Sequence, residues 1–297
     1  MMAAAMDAIA NLDLDEILAT IATTYGRFFH DLNGVDPAKH ARDALDPAKV
    51  EEKLAVFARF SGPLAGKRLL EVGSGFGMLV ATSRLRHGAL SYGIEPSGAG
   101  YEGSLAISRR LLTRAGLEPA FIIEGVGEAM PFATASFDLV YSTNVLEHVR
   151  DPEMVLRESA RVLKPGGIAQ IVVPNYGSFW EGHYGVFWPP YAPRWLGRLI
   201  VRAFGRDPSF VDTLTLVTQR ELRRIMRAMA PEVEVLDWGE GLFHQRLTGG
   251  RFSTWAALGR VKRAADLVRR LRLAHAASWV LRKADAIAPV VLSFRRR

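Results

Sequence analysis

Two carboxylates, a run of spaced glycines and two histidines are the residues of this 297-residue sequence whose types and spacing suit chemistry. Glu71-Val72-Gly73-Ser74-Gly75-Phe76-Gly77 puts an acid and three alternating glycines between one apolar run and the next. Each glycine costs backbone entropy, so the loop predicts a tight turn or a large ligand held against the backbone. A helix start just after such a loop adds partial positive charge. A pyrophosphate turn, G-x-G-x-x-G, needs its third glycine at position 78, which is Met78, so a dinucleotide cradle fits poorly. Glu95 closes the run LSYGIEP, and a carboxylate there can accept from two neighbouring hydroxyls. His148 in NVLEHV and His183 in SFWEGHYGVFWPPY titrate near neutrality and are candidate proton acceptors. Glu181 and Tyr184 stand where they would orient the His183 imidazole or bind a substrate. Each residue also has a structural reading: Glu71 as a helix cap, Glu95 as a surface acid, His148 as a loop former, His183 as part of an aromatic turn. No His/Asp cluster has metal-ligand spacing, and Asp151-Pro152 reads as a helix start. No metal is expected.

The elements that must position these residues alternate. Residues 13–31 carry Leu14, Ile17, Leu18, Ile21, Tyr25, Phe28 and Phe29 at helical spacing. Asp46-Pro47 caps a second helix that stops at Ser61-Gly62-Pro63. Strands are expected at KRLLEVG, LSYGIEP, AFIIEG, FDLVYSTN and IAQIVVP, with helices at FGMLVATSRLRHG, 99–115 and DPEMVLRESARVL, and a turn at KPGG. This order predicts an α/β fold, a mostly parallel sheet with helices on both faces and right-handed crossovers. Ligands then sit at the carboxyl ends of the strands. Further on, TQRELRRIMRAMA reads as a helix, 232–238 and 289–295 as an antiparallel strand pair, and 252–285 as a basic helical insertion between them.

In that order, these motifs resemble the class I S-adenosyl-L-methionine (SAM) methyltransferases of the type 11 branch, from about Leu64 to Val173. The resemblance implies a Rossmann-like sheet of seven strands, the last antiparallel. It implies that Glu71, Gly73, Ser74, Gly75 and Gly77 hold the methionine part of SAM. Glu95, followed by Pro96, would bind the ribose hydroxyls, and GVGEAMPF would lie beside the adenine. Relatives begin that last loop with aspartate, where this chain has Val126, which leaves Gly127 and Glu128 to hold the ring. SFDLVYSTNVLEHVRDP, with Asn144, matches the fourth strand and its turn, and LKPGG the entry to the fifth. The expected organisation is an N-terminal helical lid (1–62), a SAM-binding core (63–175), an aromatic and basic acceptor-side insertion (176–217), and the C-terminal part of the sheet with its basic insertion (218–297).

Composition bounds the rest. With no cysteine, disulfides and thiolate metal sites are excluded. No stretch reaches the roughly 18 apolar residues of a membrane span, and the acidic N-terminal segment does not read as a signal peptide, so a cytoplasmic protein is expected. The net charge of +7 is uneven: residues 251–297 hold 12 Lys/Arg against two Asp, so the first 250 residues sum to −3. Trp180, Trp188 and Trp195, with Phe179, Tyr184, Phe187 and Tyr191, offer an apolar acceptor wall. Arg194, Arg198, Arg202 and Arg206 recur every four residues, with Leu196, Leu199, Ile200, Ala203 and Phe204 filling the other side of a helix. These features predict methyl transfer to a hydroxyl of a lipid-, glycan- or prenyl-type acceptor, with peripheral contact to an anionic membrane. The alternatives are C- or N-methylation of a quinone or lipid head group, and a SAM-binding protein without turnover. Nucleic acid is disfavoured, because no recognition element accompanies the charge.

Overall fold

The computed structural model describes residues 13–98, 103–250 and 259–297. Residues 1–12, the first part of the helix expected over 99–115, and 252–258 of the basic insertion lie outside them. Three helices open on one device. Asp36, Asp46 and Asp151 each precede a proline and accept a first-turn N–H, from Lys39 at 2.7 Å, Ala48 at 2.9 Å and Met154 at 3.0 Å. The proline has no N–H to satisfy, and its φ already suits the first helical position.

Residues 13–31 are not one uniform helix. α1 (Asp15–Ile21) passes through a wider π-type turn (Ala22–Gly26) into α2 (Arg27–Asn33). Thr23 and Thr24 hydroxyls donate to the carbonyls of Ala19 (3.0 Å) and Thr20 (2.6 Å), a competition with the backbone ladder that bends helices. α3 (Pro37–Ala44) and α4 (Pro47–Ser61) follow.

The alternating part then runs β1 (Arg68–Val72), α5 (Met78–His87), β2 (Leu90–Glu95), α6 (Ser104–Arg114), β3 (Ile122–Glu124), β4 (Phe137–Thr143), α7 (Pro152–Val162) and β5 (Leu163–Val173). The KPGG turn survives as a bulge inside β5: Leu163 pairs with Phe137, and the next pair is Ile168 with Leu139. A two-stranded hairpin, β6 (Trp180–Glu181) and β7 (Val186–Phe187), leads to α8 (Arg194–Ala203) and α9 (Gln219–Ala228). β8 (Val233–Asp237), α10 (Glu240–Gly249), α11 (Gly259–Arg270), α12 (Ala274–Lys283) and β9 (Val290–Arg296) complete the chain. α10, flanked by glycines in sequence, was not among the expected helices.

The seven-stranded sheet has the order β3-β2-β1-β4-β5-β9-β8. The first five strands are parallel, and β9 runs antiparallel to both β5 and β8. The order reverses between β1 and β4, which opens a crevice at their carboxyl ends. Alternation along each strand feeds two cores. Leu70 and Val72 of β1 join Val140 of β4 and the inner faces of α7 and α9. Leu69 joins Leu139 and Tyr141 with α1, α4, α5 and α6. Glu71 therefore points to the side covered by the N-terminal helices. No described helix is long and apolar enough to cross a membrane.

Residues 176–217 build a smaller core from Tyr176, Tyr184, Val186, Trp188, Val201 and Val211. The packing of this core sets the orientation of α8. Its buried residues are Gly197 and Val201, whereas Trp195 is 63% and Leu199 52% exposed. A Cβ on Gly197 would lie 2.1 Å from Trp188 Cη2, so the helix turns its smallest residue inward against the indole. Two of its arginines, and Arg206 just beyond it, are spent locally. Arg198 pairs with Asp212 at 2.8 Å, Arg194 donates to the carbonyls of Val211 and Asp212, and Arg206 donates to those of Leu32 and Tyr184.

Candidate active site

The glycine loop hangs from β2. The amides of Gly73 and Ser74 both donate to Ile94 O at 3.0 Å. Gly75 N–H donates to Glu95 Oε2 at 2.8 Å, and the Ser104 hydroxyl to Glu95 Oε1 at 2.8 Å. Gly73, Gly75 and Gly77 all have positive φ, so the loop follows a path that side-chain-bearing residues adopt at a cost. Phe76 at its tip meets Tyr25, just before α2, edge-on at 5.1 Å. One end of the N-terminal helices thus rests on the loop.

Glu95 is buried, and burial raises its pKa, with the Ser104 and Gly75 bonds opposing. Each of its oxygens keeps a lone pair for a further hydroxyl. Burial pushes Glu71 up to about 8, against the pull of Lys53. Glu71 Oε2, Ser74 Oγ and Ser142 Oγ, at the ends of β1 and β4, are buried and have no hydrogen-bond partner among the described residues. Unsatisfied polar atoms in such a crevice suit a ligand with polar groups of its own, and an ammonium, a carboxylate and two ribose hydroxyls are the groups SAM presents. Pro96 lies half-buried beyond Glu95. Gly127 is buried, and Glu128 Oε1 accepts the Arg150 N–H at 3.0 Å, so this side chain ties its loop to the one after β4. Asn144 turns the chain at the end of β4, with φ +55° and its N–H on Val172 O.

The second group lies beside the first. A Cβ on Gly73 would fall 2.3 Å from Val145 Cγ2, so the loop carrying Glu147 and His148 sits directly on the glycine loop. The insertion brings His183 to the same place. The His148 and His183 rings are 5.2 Å apart, and Phe210 is 5.2 Å from His183 and 5.9 Å from His148. Asn33 Nδ2 of α2 donates to His183 O at 2.9 Å, fixing the segment from the other side. His183 Nδ1 is 2.6 Å from Glu181 Oε1, and Glu181 Oε2 accepts the Tyr184 N–H at 2.7 Å. The Tyr176 hydroxyl is 3.4 Å from Glu181.

Burial alone would lower the His183 pKa, but the charge and hydrogen bond of Glu181, and then Glu147, raise it. Burial would raise Glu181, yet His183 and the Tyr184 amide hold it below its ordinary value. His148 goes the other way, to about 3, through burial and the neighbouring His183. Burial pushes Glu147 up to about 7. An imidazole whose Nδ1 is fixed by a carboxylate presents Nε2 as a defined acceptor of a proton or a metal.

Three sequence expectations change here. Tyr184 does not turn its ring to His183: its hydroxyl donates to Asp207 O at 2.8 Å, and its backbone N–H does the work on Glu181. The wall beside the histidines contains Phe210, with Phe28 packed on it at 5.2 Å, while Trp188 is core and Phe179 and Phe187 stack on each other. And the acid and two histidines form a cluster after all. Ligand atoms of Glu147, His148 and His183 all lie within 4.8 Å of one another. Sequence spacing hides it because His183 comes from a separate insertion, 36 positions after Glu147.

Residues 70–171 match the profile of a family described as methyltransferase domain, type 11. The chain is 34% identical over 157 residues to the ubiquinone biosynthesis O-methyltransferase of Salmonella arizonae, covering 53% of this chain and 59% of that protein. The enzyme of the same name from Escherichia coli O157:H7 is 32% identical over the same length, covering 53% and 60%. The chain therefore spans about three fifths of the length of these curated relatives. Among solved structures, a candidate sarcosine dimethylglycine methyltransferase from Galdieria sulphuraria superposes with a TM-score of 0.51 at 15% identity, over 95% of this chain and 98% of that one, a likeness of fold. With the strand order, the acid-glycine loop and the acid ending β2 all in place, the chain carries a class I, SAM-dependent methyltransferase domain of the type 11 branch.

Proposed function

We propose that the protein transfers the methyl group of SAM to a ring hydroxyl of a quinone-type, prenyl- or lipid-bearing acceptor. The observation that carries this reading is the packing of Val145 on Gly73, which sets the Glu147–His148–His183 group against the loop assigned to the cofactor. When bound, SAM supplies a methyl carbon on a positively charged sulfur. Glu71, Ser74 and the glycine-loop amides hold its amino-acid part, Glu95 its ribose, and the turn at Gly127 its base. The acceptor oxygen needs to lose its proton as the new bond forms, and His183 Nε2 takes it while Glu181 on Nδ1 stabilises the resulting imidazolium. His148, Phe210 and Phe28 close the space around the acceptor and exclude water, which strengthens these charge interactions. The ubiquinone-pathway relatives support oxygen over nitrogen or carbon as the atom methylated.

The test is an assay with methyl-labelled SAM against catechols and hydroquinones, with and without a prenyl chain, alongside the matching anilines and a lipid extract. The expected product is a methyl ether, formed faster on prenylated rings. Label on nitrogen or carbon, or on nothing offered, overturns the reading.

A membrane-surface position follows from the C-terminal helices. Leu267, Leu271 and Leu273 of α11 and its following turn, with Trp279 and Val280 of α12, are all exposed. Arg269, Arg270, Arg272, Arg282 and Lys283 lie among them. Exposed apolar residues edged by cations suit the boundary of an anionic lipid layer. The protein is expected to float with phosphatidylglycerol vesicles at low salt and not with phosphatidylcholine vesicles. Equal behaviour with both removes the proposal.

A further inference from the structure

We propose that Asn33 is a positioning residue for methyl transfer: its side-chain amide holds the His183 carbonyl and so sets the imidazole against the acceptor oxygen. This deepens the reading above and rests on it for the step that His183 serves.

The first observation is the layout of the N-terminal segment. Ile17 and Ile21 of α1 belong to the core shared by β1 and α5, and Tyr25 packs on that core and meets Phe76 at the tip of the glycine loop. Beyond the π-type turn the chain changes core. Leu32 is buried with Tyr176, Tyr184, Val186 and Trp188 of the insertion, and Phe29 packs against the same cluster. Tyr25 and Asn33 are eight residues apart, about 12 Å along a helix. One short element therefore runs from the cofactor loop to His183.

The second observation is what Asn33 does at the end of that element. Its Oδ1 accepts the Val35 N–H at 2.9 Å, and its Nδ2 donates to His183 O at 2.9 Å. The local turn does not use the Nδ2 arm, since Gly34 N–H already closes the helix on His30 O at 2.7 Å. That arm is spent on a residue 150 positions away.

The third observation is how the peptide around His183 is held. Glu181 Oε2 accepts the Tyr184 N–H, Asn33 donates to His183 O, and Arg206 bridges Tyr184 O and Leu32 O. Two parallel ties thus join residues 32–33 to residues 183–184. Glu181 fixes the direction of Nδ1, but it belongs to the same small hairpin and moves with it. Asn33 refers the ring to the cofactor loop instead. In the reaction the acceptor O–H gives its proton to Nε2 while its oxygen bonds to the methyl carbon and the carbon–sulfur bond breaks. Misplacing a participating group by 1 Å costs about 10²-fold in such a step.

The test compares Asn33→Asp and Asn33→Ala in the full chain. The aspartate keeps an oxygen for the Val35 N–H and loses the donor to His183 O, whereas the alanine loses both. With the catechol or hydroquinone that the protein methylates, each should lower kcat by about 10- to 100-fold, with the acceptor KM and the SAM Kd within about threefold. In a His183→Ala background neither should lower kcat by more than about a further twofold, because a residue acting through His183 has nothing left to act on. Unchanged kcat in both variants, a loss with alanine but not with aspartate, or a full loss added to that of His183→Ala overturns the proposal. A second readout needs no acceptor. In protein with labelled histidine ring carbons and saturating S-adenosylhomocysteine, the His183 signal, identified by its absence in His183→Ala, should shift or broaden in both variants. The signals of His87, His244 and His275 should stay in place, which reports an intact fold. A variant that loses those signals leaves the comparison to the other, and loss of the fold in both makes Asn33 structural and overturns the proposal. A His183 signal unmoved in both folded variants also overturns it, while methyl ether formation keeps the O-methyl reading. A moved His183 signal with no methyl ether formed on any acceptor keeps the hold of Asn33 on His183 and removes the O-methyl reading.

Discussion

His183→Ala lowers kcat/KM for methyl transfer by about 10²- to 10⁴-fold, the range for losing a group that takes a proton in the transition state. SAM affinity stays within about twofold, well under 1 kcal/mol. The reasoning is local. His183 sits beside the loop that follows β4, but the bonds that shape the glycine loop go to Ile94 and Glu95, and none involves His183. Removing the imidazole therefore leaves the cofactor cleft assembled and takes away the group nearest the acceptor oxygen. The loss corresponds to about 3–5 kcal/mol of transition-state stabilisation. It appears in kcat, because the imidazole acts as the proton leaves rather than as the acceptor docks. Glu181→Gln should cost less, since an amide oxygen still accepts from Nδ1–H but no longer balances a charge on the ring. Steady-state kinetics with saturating SAM, alongside SAM calorimetry, separates the outcomes. Activity within about threefold of wild type would remove His183 from the reaction, and a parallel collapse of SAM binding would show the residue to be structural instead.

Much of the sheet was legible because its signals are local. Asp-Pro pairs at 46–47 and 151–152 predicted helix starts, and the caps are there. Strand ends at Val72 and Glu95 followed from apolar runs bounded by glycine and proline. The two ends of the cofactor cleft were readable for the same reason, since Glu71, the glycines and Glu95 lie within 25 consecutive residues of one β-α-β unit. The acceptor side was much less readable. A 3.6-residue period shows that α8 has two faces, not which one the fold covers. The sequence puts Leu199 and Phe204 on the apolar side of α8 without saying what covers it; the indole of Trp188 packs on the bare backbone of Gly197, and both residues are exposed. Phe210 gave no signal, because a short 3₁₀ turn has no pattern of its own. Glu147 could not be recognised as a partner of His183, 36 positions away. Their meeting depends on a hairpin of two-residue strands and on a hydrogen bond from Asn33, 150 positions before His183.

Gly73→Ala is expected to abolish measurable SAM binding and to lower thermal stability. Two separate costs meet at this position. The backbone has φ +70°, where a Cβ adds roughly 1–2 kcal/mol. The new methyl would also stand 2.3 Å from Val145 Cγ2, and overpacking of this kind costs about 1–3 kcal/mol more. Relief requires either the glycine loop or the loop carrying Glu147 to move. The first breaks the paired bonds from Gly73 and Ser74 to Ile94 O, and the second pulls Glu147 and His148 away from His183. If the full strain of about 2–5 kcal/mol is relieved by opening the cleft, SAM affinity falls by roughly 30- to 5,000-fold. Val145→Ala separates the terms. By itself it should leave SAM affinity nearly unchanged, since Val145 touches the loop through methyl groups alone. Combined with Gly73→Ala it removes the clash and keeps the backbone cost, so the double variant should regain roughly 10-fold or more of the lost affinity. Calorimetry of the four proteins closes the cycle. Additive losses with no recovery would mean that Val145 does not press on Gly73, and the two loops would then not form the single site on which methyl transfer depends.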